Sequence, residues 1–444
     1  MGKLFVKNYG CQMNVYDTNK LVDLLSLCNY KETQSIKEAD LVILNTCHVR
    51  EKAVTKLYSD LGRINIIKQS YNPSMLIAVI GCVAQIQGND LIKRFPYVNF
   101  VLGTQAIQNL PQFINELKGK TSKKLHPVDT NFLTDKKFKI LNINTYIHQK
   151  ISAFVTIQEG CDNFCTYCSV PNSRGREYSR DFHIIIDEIK YLAEQGIKEI
   201  MLLGQNVNSY KFVSDAKTYY IEDIFFEIDK IDGIERIRYL SPNPQGMRDD
   251  LIESYRSIKK LMPFVHLPLQ SGSNRILKMM NRPYTTDEYL EIIEKFRSVR
   301  PNMMFSTDLI VGFPSETNGD FEDTINMVNI MQYPNGFYFK YSPRPHTVAA
   351  SMPNQIDDKI KNQRFQELHE LMLKYKEKSN SSFIGRVVNV LFENRGKFLN
   401  HITGKSEYFQ NVFVKNGNEN DIGKIKKVRI KSFNASNLEG EIID

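Results

Sequence analysis

Residues 151–176 read ISAFVTIQEGCDNFCTYCSVPNSRGR: an apolar run of strand length, then Cys161, Cys165 and Cys168 within eight residues, then a basic turn. An iron–sulfur cube of the 4Fe-4S type has four irons, so three thiolates at this x3 and x2 spacing hold three corners and leave one iron without a protein ligand. Structural zinc wants a closed set of four ligands, normally in paired CxxC spacing. The nearest residue able to complete such a set is His183, 15 residues beyond Cys168 in a predicted helix, and no further cysteine follows Cys168. A cluster with one open iron fits this stretch better than zinc or a ferredoxin-type closed cluster.

Downstream, the strand-like runs AFVTIQ, EIMLLGQ, RIRYLS, PFVHLPL, FSTDLIVGF and FYFKYS alternate with amphipathic stretches such as DFHIIIDEIKYLAEQG. Six βα units predict a partial barrel over residues 147–378, with function at the carboxyl ends of its strands. The polar and glycine-rich turns fall there: Gly204-Gln205-Asn206, Ser241-Pro242-Asn243-Pro244, Gln270-Ser271-Gly272-Ser273 and Gly312-Phe313-Pro314. The cysteine triplet sits at the same rim.

Upstream, residues 1–118 show strand-like runs ending on or beside Cys11, Cys47 and Cys82, with helix-like segments between them, which implies βαβ units around a parallel sheet. Carboxyl ends of parallel strands are where open α/β sheets build sites, so the three thiols are placed to converge on one metal. Three unrelated buried cysteines is the alternative that position alone leaves open. Cys28, among Leu21, Leu24, Leu25 and Leu27 on a predicted helix, reads as core packing. Residues 119–146 are polar, Lys-rich and weakly periodic, as a linker would be. From 379 to 444, runs broken by Gly and Asn predict a small antiparallel β-barrel. Lys424, Lys426, Lys427, Arg429 and Lys431 make it basic, and Tyr408, Phe409 and Phe413 are candidates for stacking on unpaired bases. The fold class is therefore α/β, with a parallel-sheet domain, a partial (βα)6 barrel and a small β-barrel in that order.

Composition bounds the rest. At 444 residues with 42% apolar and 24% charged, the chain is an ordinary globular mixture long enough for several cores. No apolar run reaches membrane-spanning length and the N-terminus has no signal pattern, so a cytoplasmic chain is expected. Seven cysteines in a reducing compartment favour metal binding over disulfides. A net charge of +8 favours a polyanionic partner without establishing one.

The Cys161-x3-Cys165-x2-Cys168 loop, with Tyr167 before the last cysteine, opening a six-unit barrel, resembles the radical S-adenosylmethionine enzymes. YGCQMN, NTCHVRE, GCVAQ, IQEGCDNFCTYCSVP, LLGQNVNSY, HLPLQSGSNRIL, TDLIVGFPSET and YSPRP, in that order, more closely resemble the methylthiotransferases of that superfamily. GQNVNSY and IQEGCDNFCTYC resemble the branch that converts isopentenyladenosine at position 37 of tRNA to its 2-methylthio form. The other branches act on threonylcarbamoyl-adenosine or on a ribosomal-protein aspartate, and a non-catalytic metal-binding RNA-binding protein is the reading from a different class.

The resemblance implies two 4Fe-4S clusters, one on Cys161, Cys165 and Cys168 and an auxiliary one on Cys11, Cys47 and Cys82. It implies S-adenosylmethionine on the first, near Tyr167, Gly204, Gln205, Asn206, Gln270, Ser271, Gly272, Ile310 and Gly312. One S-adenosylmethionine would supply a methyl group and a second a 5'-deoxyadenosyl radical. No side chain is assigned as acid or base, because an unactivated C–H bond is beyond ordinary side-chain bases. The last domain resembles the TRAM RNA-binding module. Arg174, Arg176, Arg180 and Arg344, in loops near the rim, are further candidates for tRNA phosphates. A reduced flavodoxin- or ferredoxin-type electron donor, the anticodon stem-loop as partner, no membrane and a monomeric state complete the expectation. Two positions depart from the family pattern: Asn243 where Ser-x-His-Pro would put His, and His346 where a Gly follows YSPRP. Asn172 and Ser173 also replace more usual residues.

Overall fold

The computed structural model describes residues 1–47, 51–119, 127–132, 134–140, 151–434 and 437–443. Residues 48–50 of the NTCHVRE stretch, and 120–126 and 141–150 of the Lys-rich segment, lie outside them.

The N-terminal strands are β1 (Gly2–Asn8), β2 (Tyr30–Glu32), β3 (Leu41–Thr46), β4 (Leu76–Gly81), β5 (Phe100–Leu102) and β6 (Val128–Asp129). They pair in the order β2-β1-β3-β4-β5-β6, every pair parallel. Parallel strands covered on both faces read as continuous apolar runs, and β3 is buried at all six positions. One face packs on α1 (Gln12–Leu27), the other on α2 (Glu51–Tyr71) and α3 (Cys82–Gln87). The sixth strand comes from the stretch expected to be a linker, and the helix Thr134–Ile140 that follows packs inward through Phe138. Much of the expected connection is structure.

The barrel strands are Ser152–Thr156, Glu199–Leu203, Arg236–Tyr239, Phe264–His266, Met304–Val311 and Asn335–Lys340. They form two parallel three-stranded sheets joined by a parallel bridge between Ile237 and Leu261. Alternation decides the layers: Val155, Ile200, Leu202 and Ile237 face the outer helices. Phe154, Met201 and Leu203 face a separate inner cluster with Met13 and Tyr16 of α1 and Phe409 of the last domain. All three parts of the chain thus meet inside the barrel.

The C-terminal strands Val387–Arg395, Ile402–Ser406, Asn411–Val414, Leu438–Ile442 and Ile425–Phe433 close a five-stranded barrel in that order. Four pairings are antiparallel; Asn411–Val414 with Leu438–Ile442 is parallel. This module docks on the amino ends of the central strands. Arg236 donates to the Lys405 and Asn389 carbonyls at 2.8 Å each, and Arg238 donates to the Ser406 carbonyl at 2.8 Å. Phe409 stacks obliquely on Phe264, and Tyr408 packs on Phe383 and accepts a hydrogen bond from Asn302. Tyr408 and Phe409, both half-buried, are therefore engaged in packing at this interface. Cys28 is exposed at the end of α1, not in the core, because the helix stops there. Among the described residues no helix is long and apolar enough to cross a membrane.

Candidate active site

The radical loop is built locally. Gly160 has φ +80°, and a Cβ there would lie 2.0 Å from the Arg176 carbonyl, so only glycine lets the loop start against its returning strand. The Cys161 N–H donates to the Gly175 carbonyl and the Cys168 N–H to the Cys165 carbonyl. Two donors face sulfur: Val170 N–H at 3.4 Å from Cys168 Sγ, and Arg282 Nη1 at 3.8 Å from Cys165 Sγ. Burial and the neighbouring thiols push Cys161 up to about 11 and Cys168 up to about 12, with Arg282 opposing. Three thiols this close need more positive charge than one guanidinium to be held as thiolates, which an iron–sulfur core supplies.

The second triplet is built by register. Asn8 pairs with Asn45, and Thr46 with Gly81, so the ends of β1, β3 and β4 lie side by side. Cys11 precedes α1, Cys47 follows β3 and Cys82 opens α3. Cys82 is pushed up to about 12, first by burial and then by Cys47 and Cys11, against the pull of Arg174. Cys11 and Cys47 are thus near enough to Cys82 to act on it electrostatically. Side chains from the quoted motifs, given no role by the sequence, hold them there. Asn14 Nδ2 donates to Asn45 Oδ1 at 2.8 Å and to the Thr46 carbonyl at 3.0 Å, while Thr46 Oγ1 donates to the Ile80 carbonyl at 2.6 Å. Gly81, at φ +92°, has no room for a Cβ, which would sit 2.4 Å from Asn45 Oδ1. Among the described residues no group of three or more His, Cys, Asp or Glu is arranged to hold a single metal ion. Zinc would draw thiolates to about 3.8 Å of one another, given tetrahedral bonds near 2.3 Å, whereas a cube spreads them over separate irons. Two sets of three thiols with nearby cations fit clusters.

Of the residues expected to hold S-adenosylmethionine, Gln205 and Asn206 are tied directly to the strand that leads into the radical loop. Gln158 organises one edge: its Oε1 accepts from the Gln205 and Asn206 N–H groups at 2.8 and 3.1 Å. Gln205 Oε1 in turn accepts from the Gly160 N–H. Asn206 Oδ1 is buried with no partner, an acceptor waiting for a donor. Glu177, which the sequence did not single out, faces Asn206 Nδ2 and accepts from Ser209. Tyr167 and Ile310 share an apolar patch with Met280, Phe313 and Tyr341. Gly312, at φ +73°, donates to Glu316 Oε2 at 2.6 Å. Gln270 takes φ +74° and its N–H donates to the Asp308 carbonyl. Ser271 and Gly272 turn toward Thr324 and are spent on that turn. His183 packs edge-on to Phe182 and Tyr219.

Of the cations assigned to RNA, Arg174 and Arg180 are instead buried at the seam between the first two domains. Arg180 pairs with Glu188 at 2.8 Å and hydrogen-bonds the Tyr16 hydroxyl. Arg176 is exposed beside Asp162, and Arg344 is half-buried at the rim. On the C-terminal barrel Lys427, Arg429 and Lys431 point outward between the core residues Val428 and Ile430, flanked by exposed Lys424 and half-buried Lys426. Elsewhere on this module a groove of about 720 Å³ is lined by Phe398, His401 and Phe413, with Lys397, Lys405 and Lys415 around them. The His401 and Phe413 rings stack at 6.3 Å, and Phe398 is 64% exposed.

A protein 44% identical over 99% of both chains is the tRNA-2-methylthio-N(6)-dimethylallyladenosine synthase of Rickettsia conorii. One of the same description from Bartonella tribocorum is 43% identical over 99% of this chain and 96% of its own. The chain belongs to this family of synthases. Residues 3–103 match the family described as uncharacterized protein family UPF0004, 155–328 the radical SAM superfamily and 381–443 the TRAM domain. Among solved structures, the radical S-adenosylmethionine methyltransferase TsrM of Kitasatospora setae, with cobalamin and a [4Fe-4S] cluster bound, aligns with a TM-score of 0.55. At 12% identity over 79% of this chain and 77% of that one, the likeness shows the fold alone.

Proposed function

We propose that this chain replaces the hydrogen on carbon 2 of N6-isopentenyladenosine 37 in tRNA with a methylthio group, using two S-adenosylmethionine molecules. The observation that carries the reading is the back-to-back placement of two three-thiol sites. Helix α3, which begins at Cys82, packs on the helix Val170–Arg174 that follows Cys168. Cys161, Cys165 and Cys168 would hold one 4Fe-4S cluster and Cys11, Cys47 and Cys82 the other. When bound, the first supplies an electron that splits S-adenosylmethionine to a 5'-deoxyadenosyl radical, and the second presents the sulfur.

The residues around them bind, orient and exclude water. Gln158 and Gly160 fix the Gly204–Asn206 turn, leaving Asn206 Oδ1 and the Glu177 carboxylate as the polar edge for a cationic cofactor. Tyr167 and Ile310 give the apolar wall against which an adenine would lie. No acid or base is needed on the reacting carbon; Arg174 beside Cys82 and Arg282 beside Cys165 and Cys168 serve as fixed positive charge.

Cys161, Cys165 and Cys168 lie at the carboxyl end of the barrel strands and the TRAM-like module at their amino ends, separated by strands of up to eight residues, about 25 Å. A substrate touching both ends is a folded RNA, not a free nucleoside. Its phosphates would meet Lys424, Lys426, Lys427, Arg429 and Lys431, with Arg176 and Arg344 at the rim. The electron comes from a small reduced flavodoxin- or ferredoxin-type protein, and the chain works as a cytoplasmic monomer.

Anaerobically reconstituted protein, given reductant, S-adenosylmethionine and prenylated tRNA, should form the 2-methylthio nucleoside, read by mass spectrometry. Unprenylated tRNA should give none. Absence of 5'-deoxyadenosine under every condition, or a colourless zinc-loaded chain, refutes the reading.

A further inference from the structure

Between the two cysteine sites lies a closed ring of four buried charges. Lys137 Nζ meets Asp17 Oδ1 and Glu159 Oε2 at 2.8 Å each, and Arg174 meets Asp17 Oδ2 at 3.0 Å and Glu159 Oε1 at 2.8 Å. No member's side chain is more than 4% exposed. Signs alternate around the ring, so the net charge is zero and each carboxylate bridges two cations.

The members come from four places. Asp17 lies on α1, six residues beyond Cys11; Glu159 is two residues before Cys161; Arg174 is six beyond Cys168; Lys137 comes from the helix between the domains. The Arg174 guanidinium also interacts electrostatically with Cys82 and Cys11. Backbone contacts pin the same junction, with Thr104 Oγ1 donating to the Ser173 carbonyl and Gln105 Nε2 to the Arg174 carbonyl, both at 2.7 Å.

Stability alone is a poor reason for such a ring, because each buried ion costs several kcal/mol to desolvate and apolar residues of like volume pack as well. Apolar contacts, however, slide. A guanidinium bonded to two different carboxylates, each also held by an ammonium, has one geometry only.

We propose that the Asp17–Arg174–Glu159–Lys137 ring is a positioning device that fixes the Cys11/Cys47/Cys82 site at one distance and orientation from the Cys161/Cys165/Cys168 site. This rests on the function proposed above. A loosened ring would let the radical form without meeting the sulfur, so 5'-deoxyadenosine would accumulate without methylthio product.

The test compares Lys137→Met and Arg174→Lys with wild-type holoenzyme. Lys137 lies in neither cysteine loop, and Arg174→Lys keeps the charge but loses the fork. Both should keep about eight irons per chain while methylthio product per 5'-deoxyadenosine falls roughly tenfold or more, since small misplacements cost that much. Independently of turnover, pulsed electron paramagnetic resonance of the two reduced clusters should show a weakened or broadened magnetic interaction. A product ratio within about twofold of wild type, or both products falling in proportion, overturns the proposal. So does loss of iron or of fold in both variants, which would make the ring a folding element. A wild-type enzyme that makes no methylthio product fails the proposed function instead.

Discussion

The two cysteine sites solve the same problem by different routes. Cys161, Cys165 and Cys168 share one loop whose shape is set by backbone hydrogen bonds and by Gly160 at φ +80°. Cys11, Cys47 and Cys82 come from three strands and are level with one another only because β1, β3 and β4 pair in one register. A local site is vulnerable to a change in its own turn. A site made by register is vulnerable to anything that shifts a strand, and its thiols carry no local signal of belonging together.

The largest effects should come from removing one thiol at each site, because the proposed function gives the two sites different steps. Cys168→Ala should abolish 5'-deoxyadenosine and the methylthio nucleoside together. Cys82→Ala should leave 5'-deoxyadenosine formation in place and remove only the methylthio nucleoside. Chromatography of both products from one reaction checks this, and an identical phenotype for the two variants would erase the division of labour.

Next is Gly81→Ala. The added Cβ would meet Asn45 Oδ1 at 2.4 Å and the Thr46 carbonyl at 2.7 Å, at a backbone φ of +92° that alanine rarely adopts. Strain of about 2–4 kcal/mol at the end of β4 is expected. Iron should fall from about eight to about four per chain, with the radical site intact. A variant that retains all its iron would show that the sheet tolerates more than its register implies.

How much of this was legible in sequence follows the same division. The strands were, because parallel strands are continuous apolar runs, and so was the placement of the six cysteines just after strands or within one loop. Buried charge was not. Arg174 and Arg180 look like surface cations in a basic turn. Their burial depends on Asp17 and Tyr16, more than 150 residues away, and on Lys137 from a stretch that reads as a linker. The packing of Tyr408 and Phe409 was equally hidden, since an aromatic that docks on a neighbouring domain and one that awaits a base look the same in sequence. Arg282 and Glu177 carried no motif to mark them.

A smaller, pH-dependent effect tests the seam that joins the sites. Glu188 is held at about 2 against an ordinary 4.5: burial would raise it, but Lys20 and Arg180 more than reverse that. A carboxyl depressed in the fold stabilises above about 4.5 and loses that contribution as pH falls toward 2, here about 3 kcal/mol in all. Asp23 nearby runs the other way, pushed up to about 7 by burial with Lys20 opposing and Glu188 and Glu32 adding. Its proton stabilises the fold at low pH, and that contribution is lost as pH rises from about 3.8 to about 7. Glu188→Gln should weaken protection of the Tyr16–Lys20 turn at pH 7, and the difference from wild type should vanish toward pH 2. Hydrogen exchange of that turn reads it; a difference independent of pH would remove Glu188 from the clamp.

The smallest effect belongs to the radical rim alone. His346 stands at φ +63°, a left-handed backbone that explains why glycine is the expected residue there, and its carbonyl accepts from Asn172 Nδ2 at 3.1 Å. Two departures from the family pattern are thus in contact. His346→Gly relieves about 1 kcal/mol of left-handed strain but returns a similar amount as chain entropy in the unfolded state, so stability should move by less than about 1 kcal/mol. The hydrogen bond is to the backbone and survives the change, whereas Asn172→Ala removes it. If the pair only shapes the rim, Asn172→Ala should slow 5'-deoxyadenosine formation slightly while His346→Gly does not, and neither should alter methylthio product per 5'-deoxyadenosine. A shift in that ratio from either variant would mean that the rim loop also places the substrate against the second site, a role the comparison otherwise reserves for the seam.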